Sequence, residues 1–223
     1  MDVANNVKQI EEEIVRVCEK VQRNRNEITV IGVTKYVTIE RTEQLLATGY
    51  KDVGENRAEE MLHKYGAIGE RAKWHFIGTL QSRKVKDIVD KVTAIHSLDR
   101  LSVAKQINSR SNNPIDCFVQ VNVSGEESKH GLEPEDVIPF IESLQQFEKV
   151  HVVGLMTMAP HIQDKEEIRQ VFRRLRQLRD EVSEKKYINA PCTQLSMGMS
   201  NDFQIAIEEG ATHIRLGTSL VGS

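Results

Sequence analysis

Eight short segments rich in β-branched and apolar residues recur along the chain, near residues 28–34, 52–54, 74–78, 94–97, 117–123, 150–158, 193–197 and 213–217. Stretches with helical spacing lie between them, near 39–48, 57–67, 83–90, 100–109, 134–147, 166–185 and 202–209, and another opens the chain at 3–21. In that opening stretch Val3, Val7, Ile10, Ile14, Val17 and Val21 step by three and four, the period of one helical face. Segment 28–34, ITVIGVT, is almost wholly apolar, as a strand covered on both faces by helices must be. Strands that alternate with helices pair in parallel through right-handed crossovers, and eight such units close on themselves and leave no strand edge unpaired. The expected fold is therefore α/β, a single (β/α)8 TIM barrel preceded by an N-terminal helix. An open doubly wound sheet is the alternative, and no Gly-rich nucleotide fingerprint supports it.

A length of 223 residues suits one barrel, and the chain stops just past the eighth strand-like segment, so one domain over 1–223 is expected. Thirty Lys and Arg against 33 Asp and Glu give a net charge of −3, which argues against nucleic acid or an anionic membrane as partner. Five arginines crowd the stretch RQVFRRLRQLRD, but Ile168, Val171, Phe172, Leu175 and Leu178 trace a core-facing stripe that leaves them on a solvated face. The N-terminus has no apolar signal core and no run of about 18 apolar residues occurs, so a cytoplasmic protein is expected. Cys18, Cys117 and Cys192 are odd in number and far apart. They read as buried thiols, with neither a disulfide framework nor a metal site.

In a barrel, function gathers where each strand gives way to its following loop. That mouth collects Lys35, Gly54 to Asn56, Gly78, Ser97, Asn122 to Gly125, Met156 to Ala159, Ser196 to Ser200 and Arg215 to Thr218. Lys35 ends an otherwise apolar strand and is the candidate nucleophile toward an aldehyde or ketone. In LSMGMSNDF, Gly198 and Ser200 precede a helix with Asn201 or Asp202 as its N-cap, a candidate anion cradle. RLGT then supplies Arg215, Gly217 and Thr218, the parts of a barrel phosphate site after strands seven and eight. His75 and His96 sit inside apolar strands and read first as hydrogen-bonded core histidines. Lys129 is a loop lysine within reach of a departing aldehyde, though a plain surface residue is the simpler reading. The loops SGEESKHGLE and MAPHIQDK are long enough to form rims or lids.

Several of these segments together resemble the pyridoxal phosphate homeostasis protein family, the proline synthase co-transcribed group. They are GVTK ending at Lys35, GENRAEE from Gly54, WHFIGTLQSRK from Trp74, HSLD from His96, VQVNVSGEESKHG from Val119, GLMTMAP from Gly154, LSMGMSNDF and RLGTSLVG. One departure is Arg83 in LQSRK, where the family pattern has Asn. The resemblance implies a barrel like the N-terminal domain of alanine racemase, with pyridoxal 5′-phosphate (PLP) as cofactor and Lys35 as its Schiff-base lysine. It implies Arg215 at the pyridine nitrogen, Ser200, Gly217 and Thr218 at the phosphate, Asn56 near the cofactor, and Met199 beside it through backbone or packing. It further implies a carrier or buffer of PLP with little or no catalysis of its own, passing cofactor to PLP-dependent apoenzymes or amines. A PLP-dependent amino-acid racemase is the alternative, and a lysine-dependent aldolase without cofactor a more distant one. With no second domain needed to complete the site, a monomer is expected.

Overall fold

The computed structural model describes residues 2–126, 130–160 and 162–222. Strands β1 (Thr29–Val33), β2 (Asp52–Glu55), β3 (Lys73–Phe76), β4 (Ala94–Leu98), β5 (Ile115–Gln120), β6 (Val150–Met156), β7 (Gln194–Ser196) and β8 (His213–Leu216) follow one another around a closed barrel. Every neighbouring pair is parallel. Closure is made by β8 against β1, with Thr29 opposite His213 and Gly32 opposite Leu216. The helices are α1 (Val3–Lys20), α2 (Ile39–Ala47), α3 (Ala58–Ile68), α4 (Val85–Ile88), α5 (Leu101–Arg110), α6 (Val137–Leu144), α7 (Lys165–Glu184), α8 (Phe203–Glu208) and α9 (Thr218–Val221). The expected barrel with its leading helix is thus the observed one.

Local chemistry explains the longest helices. Asp2 caps α1 by accepting from the Ala4 amide at 3.1 Å, and Val3, Val7, Ile10, Ile14 and Cys18 form its buried face. Burial of each large apolar side chain stabilises the fold by about 1.5–3 kcal/mol. Asp164 caps α7, accepting from the amides of Glu166 and Glu167 at 2.9 and 3.2 Å, and those two acids suit the positive end of the helix.

Among the departures from the sequence reading are three that bear on how the barrel is framed. Only 85–88 of the expected helix at 83–90 is α-helical, preceded by a 3₁₀ turn, Ser82–Lys84. Strand β5 stops at Gln120 rather than Val123, because beyond it the chain turns to its own loop: Leu132 donates to the Gln120 carbonyl at 2.9 Å and accepts from the Asn122 amide at 2.8 Å. The arginines of α7 are not simply left to solvent. Arg169 and Arg173 donate to Glu209 at 3.1 and 3.0 Å, Arg176 pairs with it at 3.3 Å, and Arg169 reaches Glu208 at 2.5 Å, stitching α7 to α8.

Most of the apolar core lies between strands and helices, where Trp74, Phe76, Phe172, Leu45 and Met61 are buried. Alternate strand positions face the barrel axis. There a smaller cluster of Ala94, Phe118, Val153 and Met156 shares space with polar side chains, His75 and His96 among them. The three cysteines are unbridged and buried, and burial pushes the thiols of Cys117 and Cys192 up, the latter to about 12. Among the described residues no helix is long and apolar enough to cross a membrane, and no cluster of His, Cys, Asp and Glu stands where it could hold a metal ion.

Candidate functional site

A cavity of about 830 Å³ opens at the C-terminal end of the strands, within the ordinary range for small-ligand sites. Lys35, Asn56, Met199, Ser200, Arg215, Gly217 and Thr218 all line it. Lys35 follows β1 by two residues, half-buried, with its Nζ 4.8 Å from the ring centroid of the exposed Tyr36. The end of β1 is secured from below. Glu55 on β2 is fully buried and accepts at Oε1 from the Thr34 hydroxyl at 2.6 Å and from Lys64 on α3 at 2.7 Å. Lys64 also donates to the Thr34 carbonyl, immediately before Lys35. A buried ion pair therefore sets the backbone from which the candidate nucleophile projects.

Asn56 continues from β2 and faces the same cavity beside Gly78, which follows β3. A Cβ on Gly78 would stand 2.2 Å from the Asn56 carbonyl oxygen and 2.7 Å from its Cα. Both are backbone atoms, so the strand end itself would have to shift. Gly78→Ala is expected to lower stability by about 1–3 kcal/mol and to displace the Asn56 amide. Chemical denaturation and the Asn56 amide resonance would report the two effects, and an unchanged resonance would mean that the contact relaxes elsewhere.

On β8, the strand beside β1, Arg215 is anchored from behind, its Nη1 donating to Ser196 Oγ at 2.7 Å and its Nη2 to the Thr157 carbonyl at 3.0 Å. Burial lowers its pKa to about 10, Asp202 opposing, which leaves it a cation at neutral pH. The two loop halves beside it are joined by side chains, Ser219 Oγ donating to Ser200 Oγ at 2.8 Å. Gly198 turns the chain between them with φ +98°, and a Cβ there would meet that of Ala206 at 2.5 Å. The expected cap of α8 works differently from the sequence reading. Asp202 turns back and accepts from the Met199 amide at 2.6 Å, while the amides of Asp202 and Phe203 donate to the Met199 carbonyl. The Phe203 amide, the first of α8, is thus engaged within the turn. What this loop offers the cavity is the Ser200 hydroxyl, with Gly217 and Thr218 from the loop after β8.

A primary amine, a desolvated guanidinium and two hydroxyls beside a glycine meet in one partly apolar cavity. That donor set suits a phosphorylated carbonyl compound with a ring atom that accepts a hydrogen bond. Other expected mouth residues lie elsewhere. Ser97 is buried without lining the cavity, and Asn122 is held in its own loop by the Glu126 carbonyl at 3.1 Å. Lys129 lies outside the described residues. Sequence reasoning passed over Tyr36, Gln120 and His130, which line the cavity. Gln120 was findable as the inward-facing end of β5, but the late boundary placed at Val123 concealed it. Pro160, Ile162 and Gln163 show that the loop after β6 forms part of the rim.

A family model described as the N-terminal domain of alanine racemase matches residues 6–223. The pyridoxal phosphate homeostasis protein of Aquifex aeolicus is 42% identical over 226 residues, covering 100% of this chain and 98% of its own. A crystal structure of an unknown protein from Bifidobacterium adolescentis superposes with a TM-score of 0.93 at 28% identity, over 98% of this chain and 94% of that one. PipY of Synechococcus elongatus, solved with PLP bound, superposes with a TM-score of 0.81 at 28% identity, over 94% of this chain and 100% of that one.

Proposed function

The chain belongs to the alanine racemase N-terminal domain family and, within it, to the pyridoxal phosphate homeostasis proteins, and from that membership we propose that it binds PLP as a Schiff base on Lys35 and serves as an intracellular carrier or buffer of the cofactor. The observation that carries this reading is the convergence of Lys35, Arg215, Ser200, Gly217 and Thr218 on one cavity from opposite ends of the sequence. The ε-amine of Lys35 supplies the group that captures an aldehyde reversibly. Ser200 and Thr218 contribute hydroxyls to the phosphate, and Gly217 lets the backbone come close. Asn56 and Met199, which line the same cavity, would stand beside the cofactor.

Arg215 is the residue for the ring nitrogen, and its character bears on catalysis. Bound PLP withdraws electrons from carbanions most strongly when that nitrogen is protonated. A fixed guanidinium cation there opposes the second positive charge, so Arg215 favours holding the cofactor over amino-acid chemistry. An amine or an acceptor apoenzyme would take PLP from the cavity at the C-terminal end of the strands.

The test is direct. Wild type and Lys35→Ala are incubated with PLP, reduced with borohydride and mapped by peptide mass. A reduced adduct confined to the Lys35 peptide of wild type is the expected result, together with no interconversion of amino-acid enantiomers above that of the variant. Equal adduct yields from both proteins would remove Lys35 from its role, and substantial racemase turnover by wild type alone would replace the carrier reading with an enzymatic one.

A further inference from the structure

Barrel axes of this kind are ordinarily filled by layers of branched apolar side chains. Here a chain of polar groups runs along the axis instead. Asp52 at the start of β2 bonds His75 on β3 (Oδ1 to Nε2, 3.0 Å), and His75 bonds His96 on β4 (Nδ1 to Nε2, 2.9 Å). His96 bonds Ser196 on β7 (Nδ1 to Oγ, 2.8 Å), and Ser196 accepts from Arg215 on β8 at 2.7 Å. One end, Arg215, lines the cavity described above. The other, Asp52, opens on a cleft at the N-terminal ends of β1, β2 and β3, beside Lys51 and Lys73. Between the two ends the chain is dry, with His75 and His96 3% and 0% exposed. Phe118 stacks on His96 at 4.3 Å between centroids, and His213 stands 6.3 and 6.0 Å from the two rings, its own Nδ1 engaged by Thr212.

The chemistry of the ends dictates the direction of each bond. A guanidinium only donates and an ionised carboxylate only accepts. Burial pushes the Asp52 carboxyl up, but the hydrogen bond from His75 and the nearby Lys73 cation bring it below its ordinary value, so it is ionised. Burial, reinforced by His75, His213 and Arg215, holds His96 far below its ordinary pKa and therefore neutral. In the arrangement that satisfies every link, Nε2–H of His75 faces Asp52 and its Nδ1 accepts from Nε2–H of His96. His96 then accepts at Nδ1 from the Ser196 hydroxyl, and the Ser196 oxygen is open to Arg215. Every link points from cation to anion. If the carboxylate were lost, His75 could carry its proton on Nδ1, both following links would reverse, and His96 would compete with Arg215 for the Ser196 oxygen.

We propose that Asp52 is a positioning residue for Arg215, acting through His75, His96 and Ser196 from the far end of the barrel. Its consequence for PLP rests on the cofactor reading above, but the coupling itself is a property of the ligand-free protein. Asp52 is at the rim and Asn is nearly isosteric, so Asp52→Asn tests the coupling with the fold retained, as circular dichroism would verify. A change of Asp to Asn at the end of the shorter serine-protease chain traps the wrong histidine tautomer. In ligand-free protein, ¹⁵N spectra of the imidazoles are expected to show His75 and His96 protonated at Nε2 in wild type and shifted toward Nδ1 in the variant. Hydrogen exchange at the Arg215 guanidinium is expected to quicken by about tenfold, the weakening of one charge-assisted hydrogen bond. Unchanged tautomers, or switched tautomers with wild-type Arg215 exchange, would overturn the proposal. Because both readouts precede any ligand, they stand even if Lys35 captures no PLP. If it does, the variant should keep the Lys35 adduct while its visible absorbance band moves, and an unmoved band would break the link to the cofactor.

Discussion

Unfolding free energy is expected to fall steeply as pH drops below about 6.5, by up to about 1.4 kcal/mol per pH unit for each histidine kept neutral by the fold. His96 is fully buried, and burial followed by the charges of His75, His213 and Arg215 lowers its pKa well below the ordinary value. His213 is lowered to about 3 by burial first and by His75 and Arg215, with Asp52 opposing. In the unfolded chain both rings titrate near 6.5. The unfolded state thus takes up protons that the folded state refuses, and its share grows as pH falls. Stability is complete above about pH 6.5 and is lost across the interval from there down toward the folded pKa values. His213 is less completely enclosed than His96 and contributes less. Between about pH 7 and about pH 5 the combined loss is expected to be about 2–4 kcal/mol, a large part of ordinary domain stability. Below about pH 4, Asp52 and Glu209, whose carboxyls are held below their ordinary values, extend the same trend. Urea titrations across this range would measure it. His96→Asn should flatten the profile, and a wild-type profile already flat to about pH 5 would mean that the rings accept protons without unfolding.

Lys64→Met should be at least as costly. It removes the counter-ion of Glu55, a carboxylate with no exposed surface whose Oε2 has no hydrogen-bond partner among the described residues. Deleting one partner of a buried pair leaves the other charge desolvated and uncompensated, a loss of about 3–5 kcal/mol. In a chain of this size that is about 10 °C in melting temperature. The same change releases the Thr34 carbonyl, so capture of an aldehyde by Lys35 should also weaken. Pairing it with Glu55→Gln separates the causes. The double variant should recover much of the stability because the stranded charge is gone, but should not recover the position of Lys35, whose backbone anchor is still missing. If the double variant were no more stable than Lys64→Met, the cost would lie in packing rather than in the charge.

How far the sequence disclosed this structure depended on whether a feature was local. Segment 28–34 announces β1 by its almost wholly apolar run, and the period of Val3, Val7, Ile10 and Ile14 announces α1, because burial on one or both faces leaves a pattern that needs no knowledge of partners. Lys35, Arg215, Ser200 and Thr218 were findable for a related reason, since the loop-ward ends of strands share one face once a barrel is assumed. Strand β5 was misjudged where local propensity continued but pairing did not, the chain beyond Gln120 joining Leu132 of its own loop. The arginines of α7 looked solvated because the acids they meet, Glu208 and Glu209, come from another helix. The axial chain was hidden for the strongest form of this reason. His75, His96 and Ser196 each occupy an inward strand position, but only the register of β3 on β4, together with the reach of His96 across to β7, brings their nitrogens and oxygens to 2.9 and 2.8 Å.

Closure of β8 on β1 has a consequence for the order of events during synthesis. Lys35 leaves the ribosome early, but Arg215, Gly217 and Thr218 belong to the last strand and the turn after it, and the pairing of Thr29 to Gly32 with His213 to Leu216 needs nearly the whole chain. Contacts this distant in sequence form late. An unfinished or prematurely ended chain can display the amine but not the strand that pairs beside it. The cavity with all of these residues in place therefore exists only once the barrel has shut.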